Sequence, residues 1–227
     1  MSVKIKYLGH SAFLIENKNF SIIIDPFLTG NEMFVNDKSV EKVNDILITH
    51  AHGDHLGDAV DLSKRTGAQI SAIFEVANYC TRKGAKAQGL NIGGKVPFEW
   101  GTANWLTAAH SSSLPDGSYG GCPASILITI DGIKIFHAGD TGLHSDLKMI
   151  GEFYKPDIAL LPIGGFFTMG IEEAVEATKW LGCKTVIPMH YNTFPPIKAN
   201  PEEFKTQIAI ETMADCIILK SNEIFEV

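Results

Sequence analysis

Three histidines and one aspartate lie within six consecutive positions of this chain. They are His50, His52, Asp54 and His55, and they directly follow the apolar run 46–48. Neutral imidazole nitrogens and carboxylate oxygens are the ligands that zinc and similar first-row metals bind in proteins. Packing such groups together without a metal is costly, so the cluster predicts a metal site rather than a solvated polar turn.

Further histidines and aspartates share one context, the position that follows a strand-like run. His10 and Asp25 follow two early runs, and His110, Asp140 and His190 follow later ones. In layered α/β folds, ligands gather in the crevice outside the ends of the strands. We therefore expect these side chains to line one crevice together with the histidine cluster.

Hydrophobic periodicity indicates the elements that must position these residues. Short runs rich in β-branched and aromatic residues predict an antiparallel meander of strands at 3–8, 12–15 and 20–24. Strands and helices then alternate. The predicted strands are 46–49, 69–73, 90–100 and 104–109, and the predicted helices are 56–66 and 75–83.

The second half of the chain repeats this order. Asp131-Gly132 separates strands 125–130 and 133–136 and is typical of a two-residue hairpin turn. Helices and strands then alternate again. The predicted helices are 143–153, 172–181 and one capped by Asn200-Pro201, and the predicted strands are 158–162, 185–188, 216–219 and 223–225. The repeat predicts an α/β (mixed α+β) fold, a four-layer αβ/βα sandwich with two mixed β-sheets face to face and helices outside.

Composition limits the class of protein. The chain has 227 residues, 45% hydrophobic and 20% charged, which is typical of a soluble globular protein and predicts a single domain, 1–227. The net charge of −7 argues against nucleic-acid binding. Without a membrane-length apolar run or a signal peptide, the expected location is cytoplasmic. The widely spaced cysteines are expected to be buried free thiols, at 80, 122, 183 and 216.

The motifs resemble those of the metallo-β-lactamase superfamily over the whole chain. The run 49–55 has its HxHxDH signature, and His110, Asp140 and His190 follow in the order of that family. Segments 9–11, 24–27, 162–170 and 188–191 are similar to a small prokaryotic branch named metal-dependent hydrolase (UPF0173-like), which is related to L-ascorbate-6-phosphate lactonase.

This resemblance implies two adjacent metal sites. One divalent ion would be held by His50, His52 and His110, the other by Asp54, His55 and His190, with Asp140 as the bridge. The expected cofactors are two Zn²⁺ ions, with Mn²⁺, Ni²⁺ and Fe²⁺ as alternatives. The implied activity is metal-dependent hydrolysis of a small ester, lactone or phosphodiester by a hydroxide that bridges the two metals.

The two alternative functions are a redox or oxygen-chemistry protein and an RNA-processing nuclease. Relatives that bind di-iron carry glutamate at the position of His52, so His52 favours hydrolysis over a redox or oxygen-chemistry protein. An RNA-processing nuclease would need an RNA-gripping segment and a basic face, and this acidic chain has neither. We therefore expect a small-molecule substrate, and neither nucleic acid nor membrane as partner. Assembly into a homo-oligomer is left open.

Three residues beside the expected ligands have expected roles of their own. We assign His10 and Asp54 to catalysis. His10 either faces the substrate in an open crevice or supports a metal ligand. The alternative is that His10 is a structural histidine. Asp25 either accepts a proton from a ligand imidazole or is a turn residue before Pro26. His137 is expected to pack against the sheet or to bond to backbone. The glycine-rich stretches 111–121 and 164–169 either shape the mouth of the crevice or serve as connection and core.

Overall fold

Two seven-stranded sheets form the centre of the molecule in the computed structural model, which describes residues 2–227. The first sheet contains β1 (Lys4–Gly9), β2 (Ala12–Glu16), β3 (Ser21–Ile24), β4 (Asp45–Leu47), β5 (Gln69–Ile73), β6 (Ala87–Leu90) and β14 (Ile224–Glu226). The second contains β7 (Lys95–Phe98), β8 (Gly101–Thr107), β9 (Ala124–Ile130), β10 (Ile133–His137), β11 (Ile158–Pro162), β12 (Thr185–Met189) and β13 (Asp215–Cys216). The α-helices are α1 (Gly53–Leu56), α2 (Ala59–Thr66), α3 (Phe74–Arg82), α4 (Asp146–Tyr154), α5 (Ile171–Leu181) and α6 (Pro201–Glu211).

Both sheets follow the same plan. Their spatial orders are β14-β1-β2-β3-β4-β5-β6 and β13-β12-β11-β10-β9-β8-β7. In each sheet one strand, β3 or β10, pairs antiparallel on one side and parallel on the other. The predicted pair of mixed sheets and the repeated order of elements are therefore confirmed.

Both faces of the first sheet are buried. Successive side chains of a strand point to opposite faces, so neighbouring residues belong to different cores. Phe13 and Ile22 belong to the core that includes Ile126 of the second sheet. Leu14 and Ile23 belong to a second core, which includes residues of α2 and α3. Burial on two faces explains the continuous apolar runs in the sequence and produces the predicted layers.

Local signals at a hairpin turn and at the start of a helix are also confirmed. Asp131 and Gly132 both have positive φ, +49° and +84°, as a type I′ hairpin turn requires. The side chain of Asn200 accepts a hydrogen bond from the backbone N–H of Glu202 (3.1 Å) at the start of α6. The longest helices of the described chain, α5 and α6, have 11 residues each, too few to cross a bilayer.

The predicted helix 56–66 is wrong in its first turn, where Gly57 and Asp58 separate α1 from α2. Gly57 has φ +42°, and a Cβ at this position would lie 2.4 Å from the carbonyl oxygen of Pro26. The Asp58 carboxylate accepts two backbone N–H groups from the loop after β3, at 2.9 and 2.8 Å. Hydrophobic periodicity misses this break because contacts distant in sequence determine it.

The predicted strand 90–100 is two strands in different sheets. β6 ends at Leu90, and the chain crosses to the second sheet before β7 begins at Lys95. Gly93 has φ +85°, and its N–H donates to the carbonyl of Trp105 (2.8 Å). Gly93-Gly94 is a turn signal within the crossing, and the predicted continuous strand overlooks it. Other bounds differ by a few residues: α4 begins at Asp146, not at 143, β8 spans Gly101–Thr107, not 104–109, and β13 contains only Asp215–Cys216.

The cysteines match their prediction in part. All four are free thiols, and Cys80, Cys183 and Cys216 are buried, but Cys122 is exposed.

Candidate metal centre

The seven predicted ligands reach one crevice from both sheets. From the first sheet, His50 follows β4, His52 directly precedes α1, and α1 carries Asp54 and His55. From the second sheet, His110, Asp140 and His190 follow β8, β10 and β12. The strands fix the backbone, so the side chains that follow them converge.

The converging side chains form two groups, and within each group the ligand atoms lie within 4.8 Å of one another. The first group contains His50, His52, His110 and Asp140, and the second contains His10, Asp54, His55 and His190. This division matches the two sites implied by the resemblance, with one addition. His10 belongs to the second group.

The first group has the spacing of ligands around one ion. His50 Nε2 lies 3.0 Å from His52 Nδ1, and His110 Nε2 lies 3.4 Å from Asp140 Oδ2. Two ligands of a tetrahedral zinc ion lie about 3.4 Å apart, given bonds near 2.1 Å. Burial lowers the pKa of all three histidines, well below the usual value for His50, so the rings are neutral and have a lone pair to offer.

Asp140 lies between the two groups. Its Oδ1 is 3.1 Å from His55 Nε2, and its Oδ2 is 3.1 Å from His190 Nε2 as well as 3.4 Å from His110 Nε2. Burial alone would raise the pKa of this carboxyl, but His55 and His190 outweigh it and hold the pKa well below its usual range. An ionised carboxylate that contacts both groups is placed to bridge two cations.

Several buried polar atoms at the centre lie close to one another without forming a hydrogen bond of good geometry. Among the described residues, His55 Nε2, Asp140 Oδ1 and both ring nitrogens of His190 are buried without a hydrogen bond. Native interiors leave few such atoms unsatisfied. Unsatisfied nitrogen and oxygen atoms that converge on one space are expected of ligands that need a metal. The residues present therefore fit divalent ions.

Carboxylates dominate the electrostatics of the second group. Burial lowers the pKa of His190, but Asp140 and Asp54 outweigh it and raise the pKa to about 9. Burial likewise lowers the pKa of His55, and Asp140, Asp25 and Asp54 together raise it well above its usual value. This negative surrounding favours a dication.

Asp25 supports a ligand directly. Its Oδ2 lies 2.7 Å from His55 Nδ1, and it accepts hydrogen bonds from the backbone N–H (2.8 Å) and hydroxyl (2.6 Å) of Thr49. A carboxylate at Nδ1 fixes the proton there and leaves Nε2 of His55 free for a metal. Of the two interpretations of Asp25, the structure favours support of a ligand. The sequence gives no sign that Thr49 takes part.

The expectation that His10 faces an open crevice is wrong, because its ring is fully buried. Nε2 lies 3.0 Å from Asp54 Oδ2, and Nδ1 lies 3.0 Å from Thr193 Oγ1. Burial lowers the pKa of His10 to about 4, so the ring is neutral and carries one proton. A carboxylate can only accept, so the proton belongs on Nε2, and Nδ1 accepts from the hydroxyl of Thr193. His10 therefore holds Asp54 in position. The sequence does not predict the contact between His10 and Thr193.

We expect His10→Ala to reduce metal occupancy of the second group and to lower kcat/KM by about 10- to 100-fold, because Asp54 loses the donor that orients it. Metal analysis and steady-state kinetics check this. His10→Gln, whose amide can donate to Asp54, serves as the matched control and should recover part of both. A His10→Ala protein with full metal content and a reduced rate would instead mean that His10 contacts the substrate. Full activity with a lower Tm would make it structural.

His137 has the structural role expected of it. Its Nε2 lies 2.9 Å from the carbonyl of Ser11, and its Nδ1 accepts the backbone N–H of Gly139 (3.1 Å). Both ring nitrogens thus bond to backbone, which leaves neither for a metal or a substrate.

The candidate centre opens into a cavity of about 330 Å³. Five of the predicted ligands line it, together with Ser111 and Phe167. The stretch 111–121 is anchored beside it, because Ser112 Oγ accepts the N–H of Ala51 (3.2 Å) and donates to the carbonyl of Gly120 (3.0 Å). In the stretch 164–169, Phe167 forms a wall of the cavity, whereas Met169 is buried in the core.

Comparisons with known proteins agree with this fold. A family profile described as "Beta-lactamase superfamily domain" matches residues 4–190. A "UPF0173 metal-dependent hydrolase" of Thermus thermophilus is 49% identical over 222 residues, which is 98% of each chain.

Solved structures give the same result. Igni18, described as a novel metallo hydrolase from Ignicoccus hospitalis, is 41% identical in sequence and superposes with a TM-score of 0.92. The match covers 100% of this chain and 99% of the Igni18 chain. The metallo-beta-lactamase fold protein YhfI of Bacillus subtilis is 15% identical in sequence, with a TM-score of 0.77. The match covers 100% of this chain and 99% of the YhfI chain and shows the fold alone. The chain therefore belongs to the metallo-β-lactamase superfamily, in the branch of the UPF0173 metal-dependent hydrolases.

Proposed function

We propose that the protein hydrolyses a small ester, lactone or phosphodiester at a pair of divalent ions, with zinc as the expected metal. The observation that carries the proposal is the position of Asp140, in contact with both ligand groups beside an open cavity. When bound, such ions supply hydroxide at neutral pH and polarise the oxygen of the bond under attack.

The side chains around the centre hold the predicted ligands in position and orient them. Thr49 and Asp25 fix the ring of His55, and His10 fixes one oxygen of Asp54. The side chain of Asp54 is 26% exposed, against 3% for Asp140, so Asp54 is the carboxylate of the centre that faces entering water. We assign to it the acceptance of a hydrogen bond from the attacking water. Its role as a proton acceptor is limited because its neighbouring histidines lower its pKa.

The size of the cavity supports a small substrate. Its volume of about 330 Å³ lies near the lower end of the range for small-molecule sites, about 300–1,000 Å³. A site of this size takes a reacting group and a short substituent, not a folded RNA. The position of His52 in the first group supports hydrolysis over the oxygen-chemistry alternative.

We expect metal removal by a chelator to abolish hydrolysis and to lower Tm, since ions that bind only the folded state stabilise it by mass action. Two equivalents of Zn²⁺ per chain should restore both, and Mn²⁺, Ni²⁺ and Fe²⁺ are compared in parallel. Esters, lactones and phosphodiesters form the substrate panel.

The matched control for this experiment is Asp116→Ala, which removes an exposed aspartate of the neighbouring loop. It should bind metal as the unchanged protein does. One ion or none per folded, metal-replete chain would contradict the two-metal proposal, and iron-dependent oxygen consumption without hydrolysis would support the alternative.

A further inference from the structure

Two phenylalanines beside the candidate centre are exposed to solvent. Phe166 is 80% and Phe167 is 51% exposed, and their rings meet edge to face with centroids 4.7 Å apart. Burying a phenylalanine side chain stabilises a fold by about 1.5–3 kcal/mol. Unlike a single exposed side chain, this pair forms a joint apolar surface, and Phe167 also lines the cavity at the candidate centre.

Backbone hydrogen bonds fix the loop that carries these rings. The N–H of Gly165 donates to the carbonyl of Met169 (3.0 Å), and the N–H of Met169 donates to the carbonyl of Thr141 (3.0 Å). Thr141 directly follows Asp140, so the aromatic pair has a fixed position relative to the proposed bridging carboxylate. Phe166 has φ +51°, a conformation that is uncommon for a bulky residue and occurs where function constrains the backbone.

The remaining lining of the cavity identifies the group that would bind there. Apart from the predicted ligands, its walls are Ser111 and Phe167. Among the residues that the structure describes, no lysine or arginine lines it. Sites that recognise a phosphate or carboxylate substituent usually place arginine or lysine beside it. Here the wall next to the centre offers an aromatic face and a hydroxyl, which suits an uncharged apolar substituent.

From these observations we infer that the substrate is a neutral carboxylic ester or lactone with an apolar acyl group, and that Phe167, with Phe166, binds this group. The inference rests on the proposed hydrolytic function. In the reaction, the oxygen of water bonds to the carbonyl carbon and the bond from that carbon to the alkoxy oxygen breaks. The leaving oxygen takes a proton from water, so the products are an acid and an alcohol, joined in one hydroxy acid for a lactone.

The experiment uses metal-loaded protein and p-nitrophenyl esters from acetate to octanoate, which share one leaving group. We expect kcat/KM to rise by about two- to fourfold per added methylene until the aromatic wall is covered, since a fully buried methylene contributes at most about fourfold. Phe167→Ala should flatten this rise, and the double variant with Phe166→Ala should flatten it further. Phe153→Ala is the matched control, because Phe153 is 79% exposed on α4 and does not line this cavity.

A measurement without turnover complements the kinetics. Binding of methyl alkyl ketones of the same chain lengths, followed by ligand-detected NMR, should strengthen with length in the unchanged protein and lose this trend in Phe167→Ala. A flat chain-length profile, or a slope that Phe167→Ala leaves unchanged, would overturn the inference while ester hydrolysis stands. Preference for bis(p-nitrophenyl) phosphate over all esters would also overturn it. No turnover of any ester, lactone or phosphodiester would overturn the proposed function with it.

Discussion

Asp140→Ala is expected to abolish hydrolysis and to lower metal occupancy in both groups. Asp140 contacts His55 and His190 of the second group and His110 of the first, and it is the carboxylate they share. Without it, two neighbouring dications lose the anion that reduces their mutual repulsion. We expect the rate to fall by at least about 10³-fold, which corresponds to about 4 kcal/mol of barrier.

Metal analysis, kinetics at saturating metal and a circular dichroism spectrum check this prediction together. Asp116→Ala is again the matched control, because it removes an aspartate that bonds only locally to Ser118. Loss of one ion with turnover within about tenfold, about 1.4 kcal/mol of barrier, would show that Asp140 is not the bridge.

Asp25→Ala is expected to weaken metal binding in the second group by about 10- to 100-fold and to destabilise the fold. The fully buried carboxylate supports His55 and satisfies both donors of Thr49, so its removal leaves three groups without their partner. Removing one member of a buried, charged hydrogen-bonded set costs about 3–5 kcal/mol. Competition with a chromogenic chelator measures the affinity, and urea unfolding of the metal-free protein measures the stability.

Thr49→Val tests the hydroxyl of Thr49, which also lies 3.0 Å from His50 Nδ1, so a loss of metal affinity in the first group is expected as well. This substitution removes one hydroxyl but keeps the backbone N–H that bonds to Asp25, so stability and affinity should fall by less. Asp25→Asn keeps the shape of the side chain while removing its charge, and we expect an intermediate metal affinity. If Asp25→Asn bound metal as tightly as the unchanged protein, the carboxylate would not tune His55.

The candidate centre was largely predictable because its signals are local. Four of the ligands lie within 50–55, and the others each follow a strand that the apolar pattern marks. What the sequence does not reveal depends on contacts between distant segments. The parallel pairing of β3 and β4 places Asp25 beside Thr49, and the rings of Phe27 and Phe194 pack around the buried His10.

The differences in the fold have the same origin. Gly57 and Asp58 end α1 because the loop after β3 packs against them, and no periodicity in 56–66 records that loop. The chain changes sheets between Leu90 and Lys95, where Gly93-Gly94 marks a turn but does not show that the next strand joins the other sheet. Pattern analysis identifies the face that an element buries, but not the sheet to which it belongs.

Each ligand group draws its members from both sheets, so a bound ion would link segments that are far apart along the chain. The four cysteines of this protein are all free, and no disulfide joins its two halves. The metal centre would then act as a reversible cross-link of the folded state, unlike a disulfide, which also restricts the unfolded chain. Metal supply would set the lifetime of the folded protein as well as its rate of catalysis, and metal starvation would expose the edge between the sheets to proteases.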